Sequence, residues 1–328
     1  MQTSGQTVPP ASPSVLARRV DGLLSFPVTP FDDKGQLDLD TFREHVRRQL
    51  AAGPNALFVC CGTGEFFSLD LEEYAECVQA AAEEVAGALP VFSGVGYGTA
   101  LARRYAAAAG EAGADGLLVL PPYLVKPPQD GLYEHYRALA ETTDLPLIVY
   151  QRDNAVFLPD TVVRLAEIPT VIGLKDGYGD LDLMQRIRSA LRSAGHGAPQ
   201  RSFLLLNGMP TAEMTALAYR AVGVTAYSSA VFCFAPQIAL GFNRAFRDGE
   251  DDLVGRYLDE FYRPLVELRQ LGHGYAVSLV KAGVRLRGLD VGGVRPPLAD
   301  PPQEHLERLA SIIDRGLALA ASTPGEVS

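Results

Sequence analysis

The chain has 328 residues, 47% of them apolar, 21% charged and none tryptophan. That balance supports a large hydrophobic core and excludes a mainly disordered chain. The net charge of −10, spread along the chain, excludes nucleic acid as the main partner, which would need a basic stripe.

Residues 1–20 are polar and proline-rich and read as a disordered tail without an apolar signal-peptide run. No segment reaches the roughly 20 apolar residues of a membrane span, so no membrane partner and a cytoplasmic location are expected. From residue 22, short β-branched apolar runs alternate with helical stretches. Strands are predicted at 23–28, 56–61, 91–95, 116–120, 145–150, 171–175, 203–207 and 224–228. Their starts lie about 29 residues apart, close to one strand-plus-helix unit. Asp40 reads as the N-cap of the first intervening helix, and Asp70 with Glu73 as a capping box before the second. Eight such units predict an α/β fold, a closed (β/α)8 TIM barrel over residues 21–249. A doubly wound sheet would want a GxGxxG loop after its first strand. The nearest glycines, Gly94, Gly96 and Gly98, follow the third strand and lack that spacing. Beyond Gly249 the strands stop, and residues 250–322 read as a C-terminal extension of three helices.

In such a barrel, chemistry belongs at the C-terminal ends of the strands. Of 29 basic residues only Lys34, Lys126, Lys175 and Lys281 are lysines. Lys175 ends the sixth strand. Inside a barrel its amine loses solvation and becomes available for a Schiff base with a ketone; a structural pair with Asp176 or another carboxylate is the alternative. Tyr150 ends the neighbouring fifth strand, where its phenol can shuttle protons or simply pack. After the second strand, Gly62, Thr63 and Gly64 form a short loop whose N–H groups suit a carboxylate, with Glu65 expected to order it. The cysteines Cys60, Cys61, Cys77 and Cys233 form no CxxC and read as buried thiols in a reducing compartment. The five histidines are isolated, so no metal site is expected.

Taken together, FPVTPF at 26–31, GTGE at 62–65, GADGLLVLPPY at 113–123, Tyr150 and GLKD at 173–176 resemble the dihydrodipicolinate synthase and N-acetylneuraminate lyase superfamily. The likeness spans about residues 21–320. It implies Schiff-base catalysis without cofactors and a homo-oligomer, usually a tetramer. By position Lys175 matches the imine lysine, Tyr150 the proton-relay tyrosine and Thr63 the hydroxyl beside it. Gly62 stands where most members have a second threonine. Leu124 stands where synthases carry a tyrosine that reaches the neighbouring subunit's site, so each site should depend less on its neighbour. Ala155 falls where synthases keep the arginine for the substrate carboxylate. The YQRDN run at 150–154, together with GTGEFFSL, instead looks like the decarboxylating dehydratase branch, whose substrate is a keto-diacid. On that reading Gly62, Thr63 and Gly64 take the carboxylate beside the ketone, and Arg152 guides the anion at the mouth. Asn207, Ser228 and Ser229 make neutral contacts to the distant carboxylate. An aldolase or synthase for another 2-keto acid, and a non-catalytic keto-acid-binding regulator, remain the alternatives.

Overall fold

A computed structural model describes residues 13–196 and 203–322 of the chain. Helix α1 (Pro13–Arg19) leads into β1 (Leu23–Ser25), α2 (Leu39–Ala52), β2 (Ala56–Val59), α3 (Leu71–Val85), β3 (Val91–Val95), α4 (Thr99–Glu111) and β4 (Gly116–Val119). Then come α5 (Gln129–Ala140), β5 (Leu147–Gln151), α6 (Pro159–Ala166), β6 (Val171–Asp176), α7 (Leu181–Ser193), β7 (Leu204–Asn207), α8 (Ala216–Ala221), β8 (Ala226–Ser229) and α9 (Pro236–Asp248). All neighbouring strands pair in parallel, and β1 pairs with β8, closing the predicted eight-stranded barrel.

The pleat sends alternate side chains inward. Leu24, Phe58, Phe92, Leu118, Ile148 and Leu206 fill the lumen, where the rings of Phe26, Phe58 and Phe92 stack at successive centroid distances of 4.8 Å. The opposite phase packs under the helices, as Leu57, Val59, Val149 and Leu174 do. Strand β1 is shorter than expected because Pro27 has no N–H to continue the ladder. Phe26 nevertheless stays buried in the lumen.

Two local expectations are corrected. The first concerns the tail, of which residues 1–12 lie outside the described residues. From Pro13 the chain is helical, because Leu16, Ala17 and Val20 bury themselves in the lumen cluster. The second concerns α2, which starts two residues early. Its cap is Asp38, whose Oδ1 accepts from the Thr41 N–H at 3.0 Å. Asp40 sits inside the first turn, favourable to the helix dipole. The Asp70–Glu73 capping box of α3 forms as predicted.

After the barrel, α10 (Asp251–Tyr257), a π-helical turn (Leu258–Tyr262) and α11 (Arg263–Arg269) run on as one stretch, followed by α12 (Tyr275–Leu286) and α13 (Gln303–Ser322). Helix α12 is buried along nearly all of residues 277–284. This extension shares a second core with α9 through Phe242, Phe246, Tyr257 and Tyr262. Among the described residues no helix is long and apolar enough to cross a membrane.

Candidate active site

The barrel mouth opens into a cavity of about 660 Å³ lined by Lys175, Tyr150, Arg152, Thr63, Gly62 and Ser228, among others. Tyr150 and Lys175 are register partners across β5 and β6, so both point inward. The Lys175 ammonium lies 3.9 Å from the Phe26 ring centre and 4.6 Å from that of Tyr150. Lys175 is 5% exposed. Burial pulls its pKa down from 10.5 to about 7, and the charge of Arg152 pushes the same way.

Asp176 does not pair with it. The pleat turns Asp176 outward, where it accepts from Gln151 Nε2 at 2.9 Å, the Tyr178 N–H at 2.9 Å and Tyr219 Oη at 2.5 Å. Among the described residues the only lysine in an ion pair is Lys281.

The Tyr150 hydroxyl donates to the Gly208 carbonyl at 3.2 Å and accepts from Arg152 Nη1 at 3.2 Å. Burial raises the phenol's pKa, and the guanidinium opposes that rise. Two glycines make room for this pair. A Cβ at Gly208 would come within 2.4 Å of Lys175 Cγ, and one at Gly177 within 2.8 Å of the Tyr150 hydroxyl.

At the end of β2, Gly62 and Thr63 line the cavity. Their backbone N–H groups take no protein acceptor among the described residues, which leaves them open to an anion. Gly64 departs from expectation: a Cβ there would come 3.0–3.2 Å from the Pro27 and Cys60 backbone, and its carbonyl accepts from Thr29 Oγ1 at 2.8 Å. It shapes the loop and does not line the cavity.

Asn207 and Ser229 are also corrected. Register pairs Asn207 with Asp176 and Ser229 with Ser25, all on the outward phase. The Asn207 amide donates to the Ala212 carbonyl and to Thr215 Oγ1, each at 2.9 Å, and its Oδ1 accepts from the Met209 N–H at 3.1 Å. Ser229 Oγ donates to buried Glu213 at 2.5 Å. Neither has a donor left for the distant carboxylate. Ser228, one step earlier in the pleat, does face the cavity.

Several contributors were not singled out from sequence. Phe26 and Gly208 line the cavity beside the lysine, Gly177 backs the phenol, and Ala276 and Val277 bring α12 into the cavity wall. A strand-following glycine was the available signal for Gly177 and Gly208. Nothing local marked α12. Among the described residues no group of three or more His, Cys, Asp or Glu side chains is arranged to hold a metal ion.

The family model described as "Dihydrodipicolinate synthetase family" matches residues 19–315. The "Probable 5-dehydro-4-deoxyglucarate dehydratase 1" of Streptomyces coelicolor is 62% identical over 304 residues, covering 93% of this chain and 95% of its own. The "Probable 5-dehydro-4-deoxyglucarate dehydratase" of Rhizobium rhizogenes is 47% identical, covering 90% of this chain and 96% of its own. Among solved structures, the dihydrodipicolinate synthase of Thermotoga maritima superposes with a TM-score of 0.81 at 29% identity, covering 92% of this chain and 99% of its own. With a lysine and a tyrosine paired across β5 and β6 inside a closed barrel, and with similarity along nearly its whole length, the chain belongs to the dihydrodipicolinate synthetase family.

Proposed function

We propose that the protein is a decarboxylating dehydratase that converts 5-dehydro-4-deoxy-D-glucarate to 2,5-dioxopentanoate, carbon dioxide and water through a Schiff base on Lys175. One observation carries the chemistry: a buried lysine without a carboxylate partner, its pKa drawn down to about 7, faces a phenol on the next strand inside a large cavity. The name shared by the relatives supports the substrate.

The neutral Lys175 amine attacks the ketone, and loss of water gives an iminium. The iminium acidifies the adjacent CH2. Tyr150, whose anion burial disfavours and the Arg152 guanidinium offsets in part, takes that proton. The enamine then expels the hydroxyl one carbon further on, to which Tyr150 returns the proton, with Thr63 as an auxiliary hydroxyl. The resulting conjugated iminium is the electron sink for the distant carboxylate, which leaves as carbon dioxide. Protonation, tautomerisation and hydrolysis release the aldehyde product and free Lys175.

Gly62 and Thr63 hold the carboxylate beside the ketone. Ser228 offers the distant carboxylate a neutral contact. A strong salt bridge there would stabilise the ground state and oppose decarboxylation. Arg152 therefore serves the phenol first and the approaching anion second. The test is turnover of the keto-diacid with aldehyde and carbon dioxide both measured. Equal amounts of the two are expected. Substrate consumption without carbon dioxide release would favour an aldolase or synthase reaction on another keto acid.

The assembly we propose is a homotetramer in the cytoplasm. Its support is the family resemblance together with the exposed apolar run at Tyr123, Leu124 and Val125, which are 66%, 82% and 53% exposed. Four free, buried cysteines suit a reducing compartment. Light scattering at micromolar concentration should give four subunits; a monomer would contradict this.

A further inference from the structure

The loop whose Gly62 and Thr63 line the cavity is held from outside the barrel. Cys60 and Glu65, at its two ends, have φ of 48° and 53°, a left-handed conformation that crowds any residue with a Cβ. Such a turn persists only when its surroundings over-determine it. Here the surroundings are charged and sealed. Glu65 Oε1 accepts from Lys281 Nζ at 3.0 Å, and both side chains are 0% exposed. Its Oε2 accepts from Ser68 Oγ and from the Arg295 N–H, each at 3.2 Å. Lys281 also donates to the Gly293 carbonyl at 2.6 Å and lies over the Phe31 ring at 4.1 Å. The Arg295 guanidinium sits 4.0 Å from that ring's centre and reaches Glu73, the Ser68 carbonyl at 2.7 Å and the Gly35 carbonyl at 2.8 Å.

A wholly buried ion pair is weak evidence for stability, since apolar residues of similar volume often serve as well. What this pair adds is direction. Both carboxylate oxygens are committed, so the Glu65 backbone is fixed, and its N–H closes the turn onto the Gly62 carbonyl at 3.3 Å. We propose that Glu65, anchored by Lys281 of α12, is a positioning residue. It sets the Gly62 and Thr63 N–H groups at the spacing that a 2-keto carboxylate requires. The C-terminal extension thereby becomes part of the carboxylate site. This inference rests on the Schiff-base reading above.

The test uses the full-length double variant Glu65→Gln/Lys281→Met, in which the amide oxygen still accepts from Ser68 and Arg295 and no charge is left unpaired. Pyruvate is reductively trapped on Lys175 with borohydride over a range of concentrations, and Tm is measured alongside. The half-saturating pyruvate concentration should rise about tenfold or more, the effect of a weakened charged hydrogen bond. The trapping rate at saturation should stay within about twofold of wild type, because the imine lysine and its neighbours are untouched. A half-saturation equal to wild type, with or without a lower Tm, reduces the pair to packing and overturns the proposal. If the double variant does not fold, Glu65→Gln/Lys281→Leu, which likewise leaves no charge unpaired, is read by the same two outcomes. Failure of the wild-type protein itself to trap pyruvate would sink the Schiff-base reading instead.

Discussion

At Lys175 desolvation outweighs every nearby charge, and the sign of its consequences can be worked out. Because its folded pKa of about 7 lies below the ordinary 10.5, the folded protein binds fewer protons than the unfolded chain between those values. Stability therefore rises with pH across that window, and the full penalty is present below pH 7. Lys175→Met removes it. The variant should lose turnover yet melt on the order of 5 °C higher than wild type at pH 6, with the gap closing towards pH 10. A lower Tm at pH 6 would contradict an unpaired buried amine. In the wild type, kcat/KM should rise as pH passes through about 7 and then level off, because imine formation uses the neutral amine. Arg152 acts on both partners of the pair. Arg152→Ala should raise KM about tenfold through one lost charged hydrogen bond. It should also move the limb of the kcat profile that reports the phenol to higher pH, since the phenol loses its cation. A purely catalytic loss with KM unchanged would remove Arg152 from substrate guidance.

Apart from β1, which stops three residues short at Ser25, strand ends were legible to within a residue or two, and that margin decided which side chains reach the cavity. Lys175 and Tyr150 were found because each is a rare or polar group at the end of an apolar run. Ser228 and Ser229 could not be separated by composition, since the pleat alternates faces and a one-residue slip exchanges them. The ladder resolves it: Ser228 pairs with lumen-facing Leu24, and Ser229 with Ser25. Asn207 fails for the same reason, being on the phase of Asp176. Two substitutions separate the phases. Asn207→Ala should cost about 1–3 kcal/mol of stability by stranding the Met209 N–H and leaving the Ala212 carbonyl to Thr215 Oγ1 alone, with KM of the folded enzyme unchanged. Ser228→Ala should raise KM with little change in Tm. The reverse pattern, checked by calorimetry and steady-state kinetics, would mean that the inward and outward assignments are exchanged.

Over the whole molecule, the barrel was legible because eight repeats of one unit leave few other closed arrangements. The part played by the extension was not. Its helices are visible as apolar periodicities, but nothing in residues 275–286 announces that α12 walls the cavity with Ala276 and Val277 and buries Lys281 against Glu65. Contacts 216 residues apart leave no local trace. The iminium on Lys175 is the proposed electron sink for losing both water and carbon dioxide. The most direct measurement is to mix the protein with 5-dehydro-4-deoxyglucarate and borohydride, digest it and weigh the peptide that carries Lys175. Reduced adducts are expected on Lys175 alone, including one lighter than the simple substrate adduct by both carbon dioxide and water. An adduct on another lysine, no adduct at all, or a Lys175 adduct that has lost neither group would contradict that role for Lys175.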